Sequence, residues 1–106
     1  MNNDFLQVFV SCETRQQAKS MVDSLLHEQI IACAQILPQM ESFYRWQGQI
    51  ESACEFLLIL KTQQKHLKAI EMLIKQMHSY ETPEIIAVPI VDGLSEYLNW
   101  IENEVM

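Results

Sequence analysis

Three thiols and three imidazoles are the groups best equipped for chemistry in this 106-residue chain: Cys12, Cys33, Cys54, His27, His66 and His78. Thiolate, imidazole and thioether are soft ligands that favour copper and zinc over magnesium or calcium. Their spacing is not that of a closed zinc site, because no C-x-x-C, H-x-x-x-H or C-x-x-C-H run occurs. Cys12 ends a predicted strand and His78 ends a predicted helix, and the fold argued below can bring those two ends to one side of a sheet. A free cysteine is more often a small buried hydrophobe than a ligand. That reading stands beside the metal one for Cys12 and ahead of it for Cys54. His27, on the polar side of the first helix, and His66, opening the second, read as solvated.

Nucleophilic catalysis by Cys and His needs a lowered thiol pKa, an adjacent base and donors for a developing oxyanion. No glycine-rich loop offers such donors, and neither a Walker loop nor a G-x-G-x-x-G run is present. The residues therefore point away from an enzyme. A second polar set, Tyr44, Trp46, Glu55, Lys61, Tyr80, Glu81 and Glu84, surrounds the densest apolar stretch. An unpaired buried charge is costly, so these side chains are expected either to form an ion-pair and hydrogen-bond network between subunits or to line a ligand or metal cleft. The network is the preferred reading.

These residues sit in a chain that is 49% apolar and 20% charged, with two glycines and three prolines, the profile of one packed domain spanning residues 1–106. Seven Lys and Arg against fourteen Asp and Glu give a formal net charge of −7, which repels phosphate backbones and anionic lipid and attracts cations. Nucleic acid and membrane are thus not expected partners. No apolar run approaches the roughly 20 residues of a spanning helix, and Met1-Asn2-Asn3-Asp4 lacks the basic start and apolar run of a secretion signal. The odd, widely spaced cysteines fit reduced thiols in the cytoplasm rather than a disulfide framework.

Alternation of Leu6, Val8, Val10 and Cys12 predicts a strand over Phe5 to Cys12. Thr14 with Gln17 matches a capping box, and Ala18, Met21, Val22, Leu25 and Leu26 continue it as an amphipathic helix ending near Ile30. Ile31 to Leu37 reads as a buried strand, with Pro38 forcing a bulge or edge position. The pattern resumes at Phe43 to Trp46, turns at Gln47-Gly48 and returns as a long strand from Ile50 to about Thr62. Thr62 or Gln63 can cap a second helix with Leu67, Ile70, Leu73, Ile74 and Met77 inside. Glu84 to Val91 makes a fourth strand, in an edge or bulged position because of Pro89. After Asp92-Gly93 a short helix aligns Leu94, Tyr97, Leu98, Ile101 and Val105.

This order is that of an α+β, ferredoxin-like βαββαβ sandwich with an extended hairpin and a C-terminal helix, both main helices lying on one face of a four-stranded antiparallel sheet. The opposite face would stay bare and expose more Phe, Leu and Ile than a soluble monomer usually tolerates. Covering by further copies of the chain is the economical expectation.

Several stretches resemble the CutA family of divalent-ion tolerance proteins: Ala32-Cys33-Ala34 with Pro38, Tyr44-Arg45-Trp46-Gln47-Gly48, Lys61-Thr62, His78 with Tyr80-Glu81-Thr82-Pro83-Glu84-Ile85, and Tyr97-Leu98-Asn99-Trp100-Ile101. The resemblance implies a tight homotrimer, similar in architecture to the trimeric nitrogen-regulatory signal proteins, that binds copper, zinc or another divalent cation without catalytic turnover. By position it implies Cys12 and His78 as metal ligands, with Cys33 a weaker third. It also leaves a rival expectation, a trimeric sensor or scaffold whose intersubunit cleft near Trp46, Glu55, Lys61, Tyr80 and Glu84 binds a small ligand or partner protein. The chain departs from the pattern at Ser79, where proline is usual, at Met77, where a second histidine sometimes stands, at Gln39 for glycine and at Gln35 for asparagine.

Overall fold

The computed structural model describes residues 4–106. Met1 to Asn3, on which the expectation of no secretion signal largely rests, lie outside the described residues. The element order is β1 (Phe5–Cys12), α1 (Arg15–His27), β2 (Cys33–Trp46), β3 (Gln49–Gln63), a 3₁₀ turn (Gln64–His66), α2 (Leu67–Met77), β4 (Ile85–Pro89) and α3 (Ser95–Glu104). The four strands form one antiparallel sheet in the order β2-β3-β1-β4, which is the ferredoxin-like arrangement. Both edges are therefore β2 and β4, the strands that carry Pro38 and Pro89.

One face of the sheet is finished by α1 and α2. Leu6, Val8, Val10 and Cys12 of β1 and Leu58 and Leu60 of β3 point into a core with Met21, Leu25, Ile70 and Ile74. Thr14 caps α1 as predicted, its Oγ1 accepting from the Gln17 backbone N–H at 3.1 Å, while Gln17 Oε1 accepts from Glu13 N–H at 3.2 Å. The helix stops at His27, short of Ile30. There Gln29 takes a left-handed φ of 58°, so that its N–H reaches Leu26 O (3.0 Å) and Ile30 N–H reaches Leu25 O (3.4 Å). These two bonds close the last turn as a Schellman motif, with glutamine where glycine usually stands.

Several expectations are corrected. Leu26 and Met77, placed on inner stripes by periodicity, are exposed. Thr62 does not cap a helix: it is a buried residue of β3 whose hydroxyl donates to Ile30 O at 2.6 Å, and the 3₁₀ turn and α2 both start without a side-chain cap. The second strand starts at Cys33 rather than Ile31, and Leu37 on it is exposed. The fourth is shorter than Glu84 to Val91, and Leu94 lies exposed rather than with the packed residues of the terminal helix. The second face is also not bare along its whole length, because Leu98, Ile101 and Val105 pack with Phe5 and Ala32 in a separate small cluster.

Pro38 marks a bulge, as its missing N–H predicts. Leu37 pairs with Leu57 and Met40 with Glu55, so Pro38 and Gln39 together oppose the single residue Phe56. One inserted residue inverts the alternation of a strand. Before the bulge the odd-numbered residues of β2 share a face with the odd-numbered residues of β3; beyond it, Met40, Ser42, Tyr44 and Trp46 do. The turn at Gln47 (φ 49°) and Gly48 (φ 78°) has both central residues left-handed, the geometry that suits a tight hairpin.

Candidate functional site

The part of the second face that α3 leaves open forms a groove of about 1120 Å³. Phe9 and Ser11 of β1, Glu55 and Leu57 of β3 and Ile86 of β4 contribute to it, and the bulge swings Met40, Ser42, Tyr44 and Trp46 onto the same side. Glu51 extends the β3 row, while Tyr80, Glu81, Thr82 and Glu84 come from the segment between α2 and β4. Glu55 is the one carboxylate here that folding removes from water, at 7% exposure. Its Oε2 accepts a 2.7 Å hydrogen bond from the Tyr80 hydroxyl. Burial, then that bond and the Glu55 charge, hold the Tyr80 phenol protonated well above its ordinary range.

Of the residues the sequence singled out for a cleft, Trp46, Glu55, Tyr80 and Glu84 line this groove and Lys61 does not. Lys61 stands six residues along β3 from Glu55, roughly 20 Å at strand rise; it pairs with Gln7 and Cys33, and its Nζ donates to Gln35 Oε1 at 3.1 Å. Among the described residues of the single chain no ion pair joins this polar set, whose members Tyr80 and Glu55 share the hydrogen bond above. The ion pairs among the described residues are Lys19–Asp23 and Lys68–Glu71, both on helix surfaces.

Cys12 and His78 approach each other's elements, but with their reactive atoms engaged. His78 Nε2 lies 2.7 Å from Ser11 O, which can only accept, so Nε2 carries the proton; Nδ1 accepts from Tyr80 N–H at 3.0 Å. The ring also leans on the Tyr80 ring, centroids 4.8 Å apart. Both nitrogens of a neutral imidazole are thereby used. Cys12 is fully buried, and burial, helped by the Glu55 charge, pushes its thiol up to about 11. Cys33 lies elsewhere, five residues along β3 from the partner of Cys12, with its Sγ 3.6 Å from the Tyr97 hydroxyl. That contact, then burial, raises the Tyr97 phenol to about 12. Cys54 is exposed.

A family model described as CutA1 divalent ion tolerance protein matches residues 6–104. The chain belongs to this family. It is 38% identical over 96 residues to a chloroplastic CutA protein of Arabidopsis thaliana, covering 91% of this chain and 53% of that one, and 38% identical over 98 residues to the divalent-cation tolerance protein CutA of Archaeoglobus fulgidus, covering 92% and 95%. The chain spans about half the length of the plant relatives it matches. Among solved structures, the Thermus thermophilus divalent cation tolerance protein superposes with a TM-score of 0.94 at 32% identity, covering 96% of this chain and 99% of that one. The CutA of Xylella fastidiosa gives 0.94 at 38%, covering 97% and 99%. The names of these relatives carry different locations: the plant forms are named chloroplastic and the Archaeoglobus structure is of a protein described as periplasmic. Among the described residues here, no helix is long and apolar enough to cross a membrane.

The family name raises the question of a metal, and the side chains of the single chain do not fit one as they stand. Among the described residues no three His, Cys, Asp or Glu side chains gather as a possible ligand set. A soft cation at Cys12 would need the thiolate, which burial opposes, and at His78 it would have to displace either Ser11 O or Tyr80 N–H. Sequence reasoning named the polar members of the groove from their odd position beside an apolar strand. It missed Met40 and Glu51, which the one-residue insertion at Pro38-Gln39 and the four-residue spacing of Glu51 and Glu55 on one strand face would have located, and Phe9 and Ser11, which the alternation of β1 puts on the face opposite Val8 and Val10.

Proposed function

We propose that this chain serves divalent-ion tolerance as a non-catalytic, cytoplasmic homotrimer, a sensor or scaffold that works through the groove on its sheet rather than through a Cys12–His78–Cys33 copper or zinc centre. The observation that carries the reading is the contrast between the two sites. The imidazole of His78 is saturated and the Cys12 sulfur is inaccessible, whereas the groove is open and has a buried carboxylate in it. A trimer is supported by exposed Ile50 (73%) and Leu37 (46%) on the long hairpin strands, apolar surface outside the groove of the kind that copies of a chain cover. The acidic balance gives neither nucleic acid nor an anionic membrane a part in it.

The test is a competition titration of Cu(I), Cu(II) and Zn(II) into reduced protein beside the Cys12→Ser/His78→Ala double variant, with light scattering for the assembly. Copper and zinc affinities that the double substitution leaves unchanged, in a trimer, are the expected result. Stoichiometric uptake that the double variant abolishes would overturn the assignment and place the metal on those side chains. A monomer at micromolar concentration would overturn the assembly.

A further inference from the structure

The charges of this acidic chain are unevenly placed on its helices. The 3₁₀ turn and α2 carry Lys65, Lys68 and Lys75 against the single acid Glu71, whereas α3 carries Glu96, Glu102 and Glu104 and no basic residue. On α2, Lys68, Met72 and Lys75 follow at i, i+4 and i+7, which sets them along one side of the helix. All three are exposed, Met72 to 67%. On α3, Glu96, Trp100 and Glu104 follow at i, i+4 and i+8 and are exposed too, Trp100 to 40% with its ring stacked on Tyr97. Each stripe is an apolar side chain between two charges of one sign, and the two signs are opposite.

The stripes also conflict with the helices that bear them. Lys68 stands in the first turn of α2 and Glu104 in the last turn of α3, where each meets a partial charge of its own sign from the helix macrodipole. Lys68 has a 3.4 Å contact with Glu71 of its own helix, and Lys75, Glu96 and Glu104 have no ion pair among the described residues. One chain cannot lay the stripes together, because α2 packs on the first face of the sheet through Ile70 and Ile74 and α3 on the second through Ile101 and Val105. Within the chain the two helices meet end to end, His66 Nε2 lying 2.8 Å from Met106 O.

We infer that α3 of one copy packs antiparallel on α2 of a neighbouring copy, with Trp100 against Met72, Glu104 toward Lys68 and Glu96 toward Lys75. The spans agree: seven residues between the lysines and eight between the glutamates are about 10 and 12 Å of helix. Antiparallel packing sets opposite ends of the macrodipoles side by side, so the charges that each helix places against its own dipole face a favourable partner. The indole and the thioether meet at the centre. The contact joins two different surfaces, as every interface of a three-membered ring must. It rests on the reading of the chain as a trimer and names surfaces through which neighbours meet.

Sedimentation velocity of the full chain over a range of concentrations, in low salt, tests the inference. Lys68→Glu/Lys75→Glu and Glu96→Lys/Glu104→Lys should each lower the association constant at least tenfold, and the chain carrying all four substitutions should recover it. Each substitution shifts the charge by two, so the first pair takes the net charge from −7 to −11 and the second takes it to −3, while the four together leave it at −7. General repulsion would therefore loosen the first variant and tighten the second, whereas the helix contact loosens both. Recovery in the fourfold variant excludes misfolding as the cause of the losses. Trimers unchanged in both pairs overturn the inference and leave the trimer standing. Tighter association of Glu96→Lys/Glu104→Lys, or no recovery in the fourfold variant, overturns it as well. A native chain that sediments as a monomer at micromolar concentration overturns the trimer and the inference together.

Discussion

The two faces of the sheet are built from the same strands and reach opposite ends. Val8 and Val10 of β1 and Leu58 and Leu60 of β3, even-numbered residues that meet α1 and α2, are wholly excluded from water. Phe9, Ser11, Glu55 and Leu57, odd-numbered and joined by the hairpin residues beyond the bulge, face a groove with carboxylates among its aromatic rings. A β-strand carries both patterns at once because its side chains alternate. The core face stabilises the fold, while the other face is free to hold groups, such as Glu55, that a finished core would exclude.

The largest effect that separates the faces comes from truncating a side chain on each. Leu60→Ala should lower the unfolding free energy by about 2–5 kcal/mol, through lost transfer energy and the cavity left behind, independently of protein concentration. Trp46→Ala should stay within about 0.5 kcal/mol in the isolated chain; in an assembled one its effect should appear as a denaturation midpoint that moves with concentration. Urea unfolding at several protein concentrations reads both. Equal, concentration-independent losses would erase the distinction between a finished and an open face.

How far this division is legible in the sequence differs by element. β1 is readable to the residue, since strict alternation has one solution, and Thr14 with Gln17 announces the start of α1. Its end is not readable, because the left-handed stop falls on Gln29 and nothing in a glutamine signals it. Thr62 looks like a cap by type and position; only the tertiary approach of Ile30 O shows that its hydroxyl is spent across the fold. At the candidate site the residue types are visible but their states are not. His78 does reach the end of β1, where it meets the Ser11 carbonyl, and which nitrogen is free for a metal depends on backbone groups that residue letters do not display. Lys61 and Glu55 lie on the same strand and read as one cluster until the 3.3 Å or so per residue of a strand is counted out between them.

A pH titration sharpens the comparison at the junction of the two faces, where the buried Cys12 thiol feels the Glu55 carboxylate. The folded thiol titrates at about 11 against an ordinary 9.0. Between those values the unfolded chain has lost a proton that the folded chain retains, so the unfolding free energy falls as pH rises from 9 toward 11 and is insensitive to this group below 9. Chemical denaturation across that range should show the decline, and Cys12→Ala should remove its share. A slope unchanged in Cys12→Ala would mean that the thiol ionises freely and that the end of β1 is open to solvent.

The smallest effect concerns the left-handed glutamines, which belong to different faces of the problem. Gln29 ends α1 on the core side, and Gln39 (φ 55°) sits in the bulge that directs Tyr44 and Trp46 into the groove. A side chain at positive φ is strained by its own Cβ, whereas glycine is not. Against this, glycine gains entropy in the unfolded chain. The net expectation for Gln29→Gly is a gain of about 0.5–1 kcal/mol, measured as an upward shift of the thermal midpoint with unchanged far-ultraviolet spectrum. Gln39→Gly should give a gain of the same order and, because the bulge keeps its extra residue, leave ligand binding in the groove unaltered. Stabilisation at Gln29 with a loss of binding at Gln39 would show that the bulge glutamine acts through its side chain as well as its backbone, and would make position 39 part of the groove rather than only its hinge.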